Sequence, residues 1–195
     1  MKIAEFAEDM YPILEPYLHP MDRTPFGDEF LRTKNHYEWY ATISNMLCPK
    51  AICEIGVRFG YSAISMLWGA EKADPFFHVR YLGIDNESAE EGSSEFALKG
   101  IRKFTDNAST MKCDSLTTGH ISEKFNLVHV DGMHTVPWLF DDLRFARAVL
   151  KNGGVILVDD MTLFPALMPP TKRWAKENGF DAEFIPTHRG MMLLK

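Results

Sequence analysis

The sequence predicts an α/β protein built on a doubly wound, mostly parallel seven-stranded sheet, with a C-terminal antiparallel hairpin and helices at the N-terminus. Three observations predict it. From about residue 50 onward, short apolar runs alternate with longer segments of helical periodicity, the pattern of repeated βα units. The last two runs are separated only by Pro186-Thr187-His188-Arg189-Gly190, too short for a helical crossover, so they pair as a hairpin. Glycine-rich or acidic residues recur just after the strand-like runs, where an open α/β sheet places its ligand crevice.

The strand-like runs are Ala51–Ile55, Val79–Ile84, Ala108–Cys113, Leu127–Val130, Val155–Val158, Ala182–Ile185 and Met191–Leu194. Helices are expected over Tyr61–Gly69, Ser88–Phe104, a short piece near Leu116–Lys124, Pro137–Leu150 and Thr171–Glu177. Ser88 and Glu91 have capping-box spacing, and Lys151-Asn152-Gly153-Gly154 reads as a stop before the next strand. In residues 1–48, Tyr37, Tyr40, Ile43 and Leu47 fall roughly at helical spacing. This stretch is expected to form a helical cap across the sheet's binding edge.

With 195 residues and 46% apolar content, the chain is long enough for one domain with a sizeable core, spanning 1–195, with the cap at 1–48 and the α/β core at 49–195. Cys48, Cys53 and Cys113 lack metal-ligand spacing and read as reduced thiols. The segment Met1 to Leu18 mixes acids and prolines into its apolar residues, unlike a secretory or transit peptide, and no stretch approaches a membrane span. The expectation is a cytoplasmic protein that does not engage membranes. A formal net charge of −6 without a Lys/Arg cluster argues against a nucleic-acid surface and favours a small or neutral partner.

After the first run the chain reads Glu54-Ile55-Gly56-Val57-Arg58-Phe59-Gly60-Tyr61-Ser62. Gly56 and Gly60 allow a sharp turn and close approach to a ligand, and Ser62, entering a helix, can face a carboxylate. Asp85-Asn86 follows the second run, where an acid is placed to accept hydrogen bonds from ribose hydroxyls. A dinucleotide fingerprint is missing, because Arg58 stands where the second glycine would bare the backbone to a pyrophosphate.

Two further strand ends carry acids: Val130-Asp131-Gly132-Met133-His134 and Val158-Asp159-Asp160-Met161. Three carboxylates converging on one sheet edge repel one another unless a cation or protons intervene, and oxygen ligation suits a hard ion such as Mg²⁺. Read singly, Asp131-Gly132 is also a common turn pair, and Asp159 or Asp160 could cap a short helix near Phe164.

The segment Glu54-x-Gly56-x-x-x-Gly60-Tyr61-Ser62-Ala63 resembles the first motif of catechol O-methyltransferase and of the macrolide-sugar O-methyltransferases of the macrocin and mycinamicin type. The resemblance implies a Rossmann-like, class I S-adenosylmethionine-dependent methyltransferase. It places Gly56, Gly60 and Ser62 at the methionine part of the cofactor, Asp85 at its ribose, and Asp114 and Ser115, after Cys113, beside its adenine, with Glu54, Tyr61 and Asn86 also among the cofactor-binding residues. Asp-x-x-His followed by paired acids resembles the metal-dependent sugar enzymes more closely than catechol O-methyltransferase, which has a lysine where this chain has His134 and an asparagine where it has Asp160. Carried over, Asp131, Asp159 and Asp160 would hold Mg²⁺, Asp131 would also face the cofactor, and His134 would be the general base.

The implied reaction is Mg²⁺-assisted methyl transfer to a hydroxyl of a sugar, polyol or catechol-like small molecule. The family likeness also suggests a homo-oligomer. Two alternatives stay open: a metal-independent O- or N-methyltransferase, and a non-catalytic S-adenosylmethionine-binding regulatory protein. His129 inside a strand reads as a hydrogen-bonded core residue, His188 as a solvated turn residue, and His36 and Arg32 as residues able to face the acceptor. Trp138, Phe140 and Leu143 read as core packing, and Met161 to Met168 as a mobile loop covering the acceptor.

Overall fold

The computed structural model describes residues 9–22, 27–76 and 78–195, with the side chains of 27–34, Arg32 among them, outside that description. Seven strands form one sheet: β1 (Ala51–Ile55), β2 (Arg80–Asp85), β3 (Ala108–Lys112), β4 (Phe125–Val130), β5 (Leu150–Val158), β6 (Ala182–Ile185) and β7 (Met191–Leu194). Their order is β3-β2-β1-β4-β5-β7-β6. The first five run parallel, and β7 lies antiparallel between β5 and β6. The expected doubly wound sheet with its terminal hairpin is therefore the architecture.

Strand alternation builds a core on each face. Ile52, Tyr81, Leu127, Leu157 and Leu193 point to one side, and Cys53, Leu82, Val128, Ile156 and Leu194 to the other. The first face is covered by α2 (Gly27–Leu47) and α3 (Tyr61–Ala73), with α4 (Ser93–Ile101) beyond. The second is covered by α5 (Val136–Val149) and α6 (Met168–Glu177). Burial on both faces explains why the parallel strands read as nearly continuous apolar runs. Before α2 the chain forms the single helical turn α1 (Tyr11–Leu14) and two 3₁₀ turns, and among the described residues no helix is long and apolar enough to cross a membrane.

Three local expectations are corrected. The helix expected from Ser88 starts at Ser93, because Glu87 adopts φ 57°, Asn86 Oδ1 accepts the Ser88 N–H at 2.9 Å, and the Glu87 carboxylate accepts the N–H groups of Gly92 and Ser94 at 3.2 Å each. No Ser88 capping box forms; the carboxylate one residue earlier serves the first turn instead. Near Leu116 only a 3₁₀ turn forms, Ser115–Thr117. The Lys151–Gly154 stretch does follow the end of α5 but lies inside β5, across a register irregularity against β4.

Candidate active site

The winding direction reverses between β1 and β4, whose carboxyl ends lie side by side. That is where an open α/β sheet opens a crevice. Gly56 leaves β1 at φ 83°, and a Cβ there would stand 2.0 Å from the Asp131 carbonyl oxygen. The first loop is thus pressed against the end of β4. At Gly60 (φ 80°), the N-cap of α3, a Cβ would meet that of Ala97 at 2.9 Å, so this glycine also seats α4. Gly56→Ala combines a forbidden approach to backbone with an unfavourable φ. It should cost at least about 3 kcal/mol and abolish cofactor binding, measured by urea unfolding and calorimetry.

Two crevices of about 310 and 380 Å³ meet here and share Gly56, Arg58, Asp131 and Arg189. The first runs beneath α2 along Tyr61 and Ser62 to Asp22, His36, Tyr37 and Tyr40. The second runs past Asp85, Asn86, Asp114 and Ser115 to His134, Trp138 and Asp142. Of the residues expected at a cofactor, nine line one crevice or the other: Gly56, Gly60, Tyr61, Ser62, Asp85, Asn86, Asp114, Ser115 and Asp131.

Glu54 lies behind the crevice, fully buried, accepting hydrogen bonds from Ser62 Oγ at 2.5 Å and from the Tyr81 hydroxyl, and pairing with His129 Nδ1 at 2.8 Å. It orients Ser62 from below. Asp85 Oδ2 accepts the N–H groups of Val57 and Arg58 at 2.8 Å each, tying the glycine loop to the end of β2. Asn86 Nδ2 donates to Asp114 Oδ1 at 2.6 Å, and Ser115 Oγ to Asp142 Oδ1 at 2.5 Å.

Burial lifts the Asp142 carboxyl to about 6, against the hydrogen bond from Ser115. A raised folded-state pKa means that the folded protein holds this proton longer than the unfolded chain. Stability should fall by about 2 kcal/mol as pH rises from about 4 to 6, a slope that Asp142→Asn should flatten in urea titrations.

Trp138 is half-buried and lines the second crevice, correcting its expected place in the core, while Leu143 is fully buried. The segment from Met161 is not a free loop. Met161 and Leu167 are buried, and the N–H groups of Met161 and Thr162 donate to the carbonyls of Gly190 and Arg189 at 2.9 and 2.7 Å.

Asp131, Asp159, Asp160 and His134 do meet at one edge. Their charge is compensated by Arg189 of the β6–β7 hairpin, whose Nε and Nη2 donate to Asp160 Oδ1 and Oδ2 at 2.6 and 2.8 Å. His134 Nε2 lies 2.8 Å from Asp160 Oδ2 and 3.4 Å from Asp131 Oδ1. Asp160 holds this position with φ 63°, a left-handed conformation that aspartate tolerates better than most residues. Asp159 Oδ2 is bound by His36 Nε2 at 2.9 Å and the Tyr40 hydroxyl at 2.5 Å, and its Oδ1 accepts the Asp160 N–H at 2.6 Å.

These contacts set the charge states. Burial opposes ionisation of Asp159, yet His36 and Arg189 hold its carboxyl well below the usual range. Burial and the neighbouring Asp159 push Asp131 up to about 6. Burial works against charge on His134, but Asp131 and Asp160 prevail and raise it to about 9, so it is an imidazolium at neutral pH.

This donor set does not fit Mg²⁺ as arranged. Both oxygens of Asp160 and of Asp159 already serve protein donors. Among the described residues the groups that converge to ligand distance are Asp131 with His134 and Asp160, and Asp131 with His129 and Asp159. Each includes a histidine, whereas Mg²⁺ favours oxygen, and neither gathers the three carboxylates together. The adjoining crevices do suit an S-adenosyl group, with Gly56, Gly60 and Ser62 lining one and Asp85, Asn86 and Asp114 lining the other.

Arg189 and Tyr40 are site residues that sequence reasoning did not assign, and His36, read as able to face the acceptor, is bound to Asp159 at 2.9 Å. Arg189 sits in a turn without any motif. His36 and Tyr40 are four residues apart on α2, a helical spacing that also describes core packing.

Strand order, glycine loop and acidic strand ends together define a class I methyltransferase fold. The methyltransferase domain family matches residues 53–161, more than half of the chain, and the chain belongs to that family; it is an S-adenosylmethionine-dependent methyltransferase. No curated protein matches it by sequence. Among solved structures it is similar to the SAH-bound methyltransferase PaMTH1 of Podospora anserina, at 16% identity and TM-score 0.67 over 100% of this chain and 98% of that one. It is also similar to the O-methyltransferase TomG of Streptomyces achromogenes, involved in tomaymycin synthesis and in complex with SAM, at 17% identity and TM-score 0.62 over 83% and 79%. A third is an O-methyltransferase of Bacillus cereus in complex with SAH, at 17% identity and TM-score 0.61 over 95% and 89%. At these identities the likeness is one of fold.

Proposed function

We propose that the protein transfers the methyl group of S-adenosylmethionine to a hydroxyl oxygen of a small molecule. The observation that carries this reading is the convergence of His134 Nε2 with Asp131 and Asp160 at the crevice formed by the glycine loop and the end of β4. Gly56, Gly60 and Ser62 would hold the methionine part, Asp85 and Asn86 the ribose, and Asp114 and Ser115 the adenine. When bound, the cofactor supplies an electrophilic methyl group on a sulfonium.

The remaining work falls to the chain itself. The crevice holds the acceptor oxygen in line and excludes water. The neutral imidazole of His134 receives the hydroxyl proton at the ring nitrogen opposite Nε2, while Nε2 faces the carboxylates of Asp131 and Asp160, which stabilise the imidazolium so formed. Mg²⁺ has no part in this reading, since Asp160 is engaged by Arg189 and Asp159 by His36 and Tyr40.

The acceptor side has an apolar rim. Met133, Leu163 and Phe164 are exposed, and the Phe164 ring stacks on His134 with centroids 4.3 Å apart and planes at 6°. A stacked ring beside the base favours a planar, catechol-like body over a sugar. Phe164→Ala should raise KM for such an acceptor about tenfold with a smaller change in kcat. The deciding experiment incubates the protein with S-adenosylmethionine and a panel of phenols, catechols, polyols and sugars. Methylated phenol or catechol is the expected product, and product on amines alone would replace the reading by N-methylation.

A further inference from the structure

We propose that Arg189 is a built-in cation that takes the place of a divalent metal in this site, so that the protein neither needs nor binds Mg²⁺ there. The inference rests on the acceptor site proposed above and concerns what organises its carboxylates.

The geometry is that of a fixed group. The guanidinium meets Asp160 through two parallel hydrogen bonds of 2.6 and 2.8 Å, and its Nε stands 3.9 Å from Asp159 Oδ2. A fork-to-fork pair of this kind is the strongest and most directional arrangement a guanidinium makes. The backbone beneath it is held from two sides. The Arg189 carbonyl accepts the Thr162 N–H at 2.7 Å, and the Gly190 N–H donates to Thr187 Oγ1 at 2.8 Å, which itself meets His36 Nδ1 at 2.7 Å. His36 in turn reaches Asp159, so the hairpin, α2 and the acid pair form one closed ring of contacts.

A metal at Asp160 would have to expel a guanidinium whose backbone has little freedom to withdraw. To engage Asp159 as well, it would have to displace His36 and Tyr40 from the buried carboxylate they share. Arg189 already performs the electrostatic part of a metal's task, holding like charges together at the edge of the crevice. It offers no open coordination position, so an acceptor hydroxyl would meet His134 without metal activation.

The test uses Mn²⁺ as a paramagnetic stand-in for Mg²⁺, titrated into the full-length protein and followed by the electron paramagnetic resonance of the free ion. S-adenosylhomocysteine is titrated by calorimetry into the same samples. The wild type should show no saturable Mn²⁺ binding that depends on Asp131 or Asp160, whereas Arg189→Ala should bind Mn²⁺ at least about tenfold more tightly. Adding Asp160→Asn to that variant should abolish the gain. Wild-type Mn²⁺ binding that disappears in Asp131→Asn or Asp160→Asn overturns the proposal, and so does a folded Arg189→Ala with no gain. Should Arg189→Ala fail to fold alone, recovery of its melting transition by Mn²⁺ is expected, and no recovery counts against the proposal. Failure of S-adenosylhomocysteine to bind the wild type would instead defeat the functional reading, so the two failures are distinguishable.

Discussion

Replacing His134 with glutamine should lower kcat/KM by about 10²- to 10⁴-fold while leaving S-adenosylhomocysteine affinity within about twofold, because the side chain is placed to move a proton rather than to hold the cofactor. Its pairing with Asp131 and Asp160 raises it to about 9, and only the neutral ring accepts a proton. The wild-type rate should therefore climb with pH through neutrality and level off near 9. In His134→Gln this limb should vanish, leaving a low, flat profile. A steep limb that survives the substitution would assign the base elsewhere, and an unchanged rate would remove His134 from the chemistry. The measurement is a pH series of kcat/KM at saturating cofactor, with protein integrity followed by circular dichroism.

Asp159→Ala should be the most damaging substitution for stability. The carboxylate is buried and engaged by His36, Tyr40 and the Asp160 N–H, and its removal leaves those donors and the nearby Arg189 without their shared acceptor. Removing one partner of a buried charge network costs about 3 to 5 kcal/mol, a large part of an ordinary domain's stability. In a chain of this length that should lower Tm by about 10 °C.

The sign of the pH dependence follows from the depressed pKa of this group. Its stabilisation is fully present above the unfolded aspartate value of about 4 and is lost as pH falls toward the lower folded value. Below pH 4 the wild type should therefore lose stability faster than Asp159→Ala, and the two should converge. Parallel curves would show that the Asp159 charge contributes nothing. Calorimetric melts from pH 3 to 8 measure both effects.

Much of this protein is legible in one dimension because its signals are local. The strands Ala51–Ile55, Ala182–Ile185 and Met191–Leu194 have the bounds their apolar runs predict; the first and last are buried throughout, so burial there is written into residue type, whereas the edge strand Ala182–Ile185 buries only Ile185. Gly56, Asp85 and Asp131 could be placed at one crevice because an α/β sheet brings strand ends together whatever else the chain does. The start of α4 was less legible, since the Glu87 carboxylate and a left-handed backbone outcompeted the Ser88 capping signal.

The sequence by itself determined the sheet, its winding, a sharp glycine turn after β1, and the gathering of Asp131, His134, Asp159 and Asp160 at one edge. Only the tertiary structure decided what those acids face. Arg189 reaches them from a terminal hairpin with no motif to announce it, and His36 and Tyr40 from an N-terminal helix whose place across the binding edge was legible but whose hold on Asp159 was not. Strand order and apolar patterning act over a few residues and leave a periodic trace. Charge compensation acts through space, between side chains 29 positions apart for Asp160 and Arg189 and 123 for His36 and Asp159, and becomes visible only when the chain has closed.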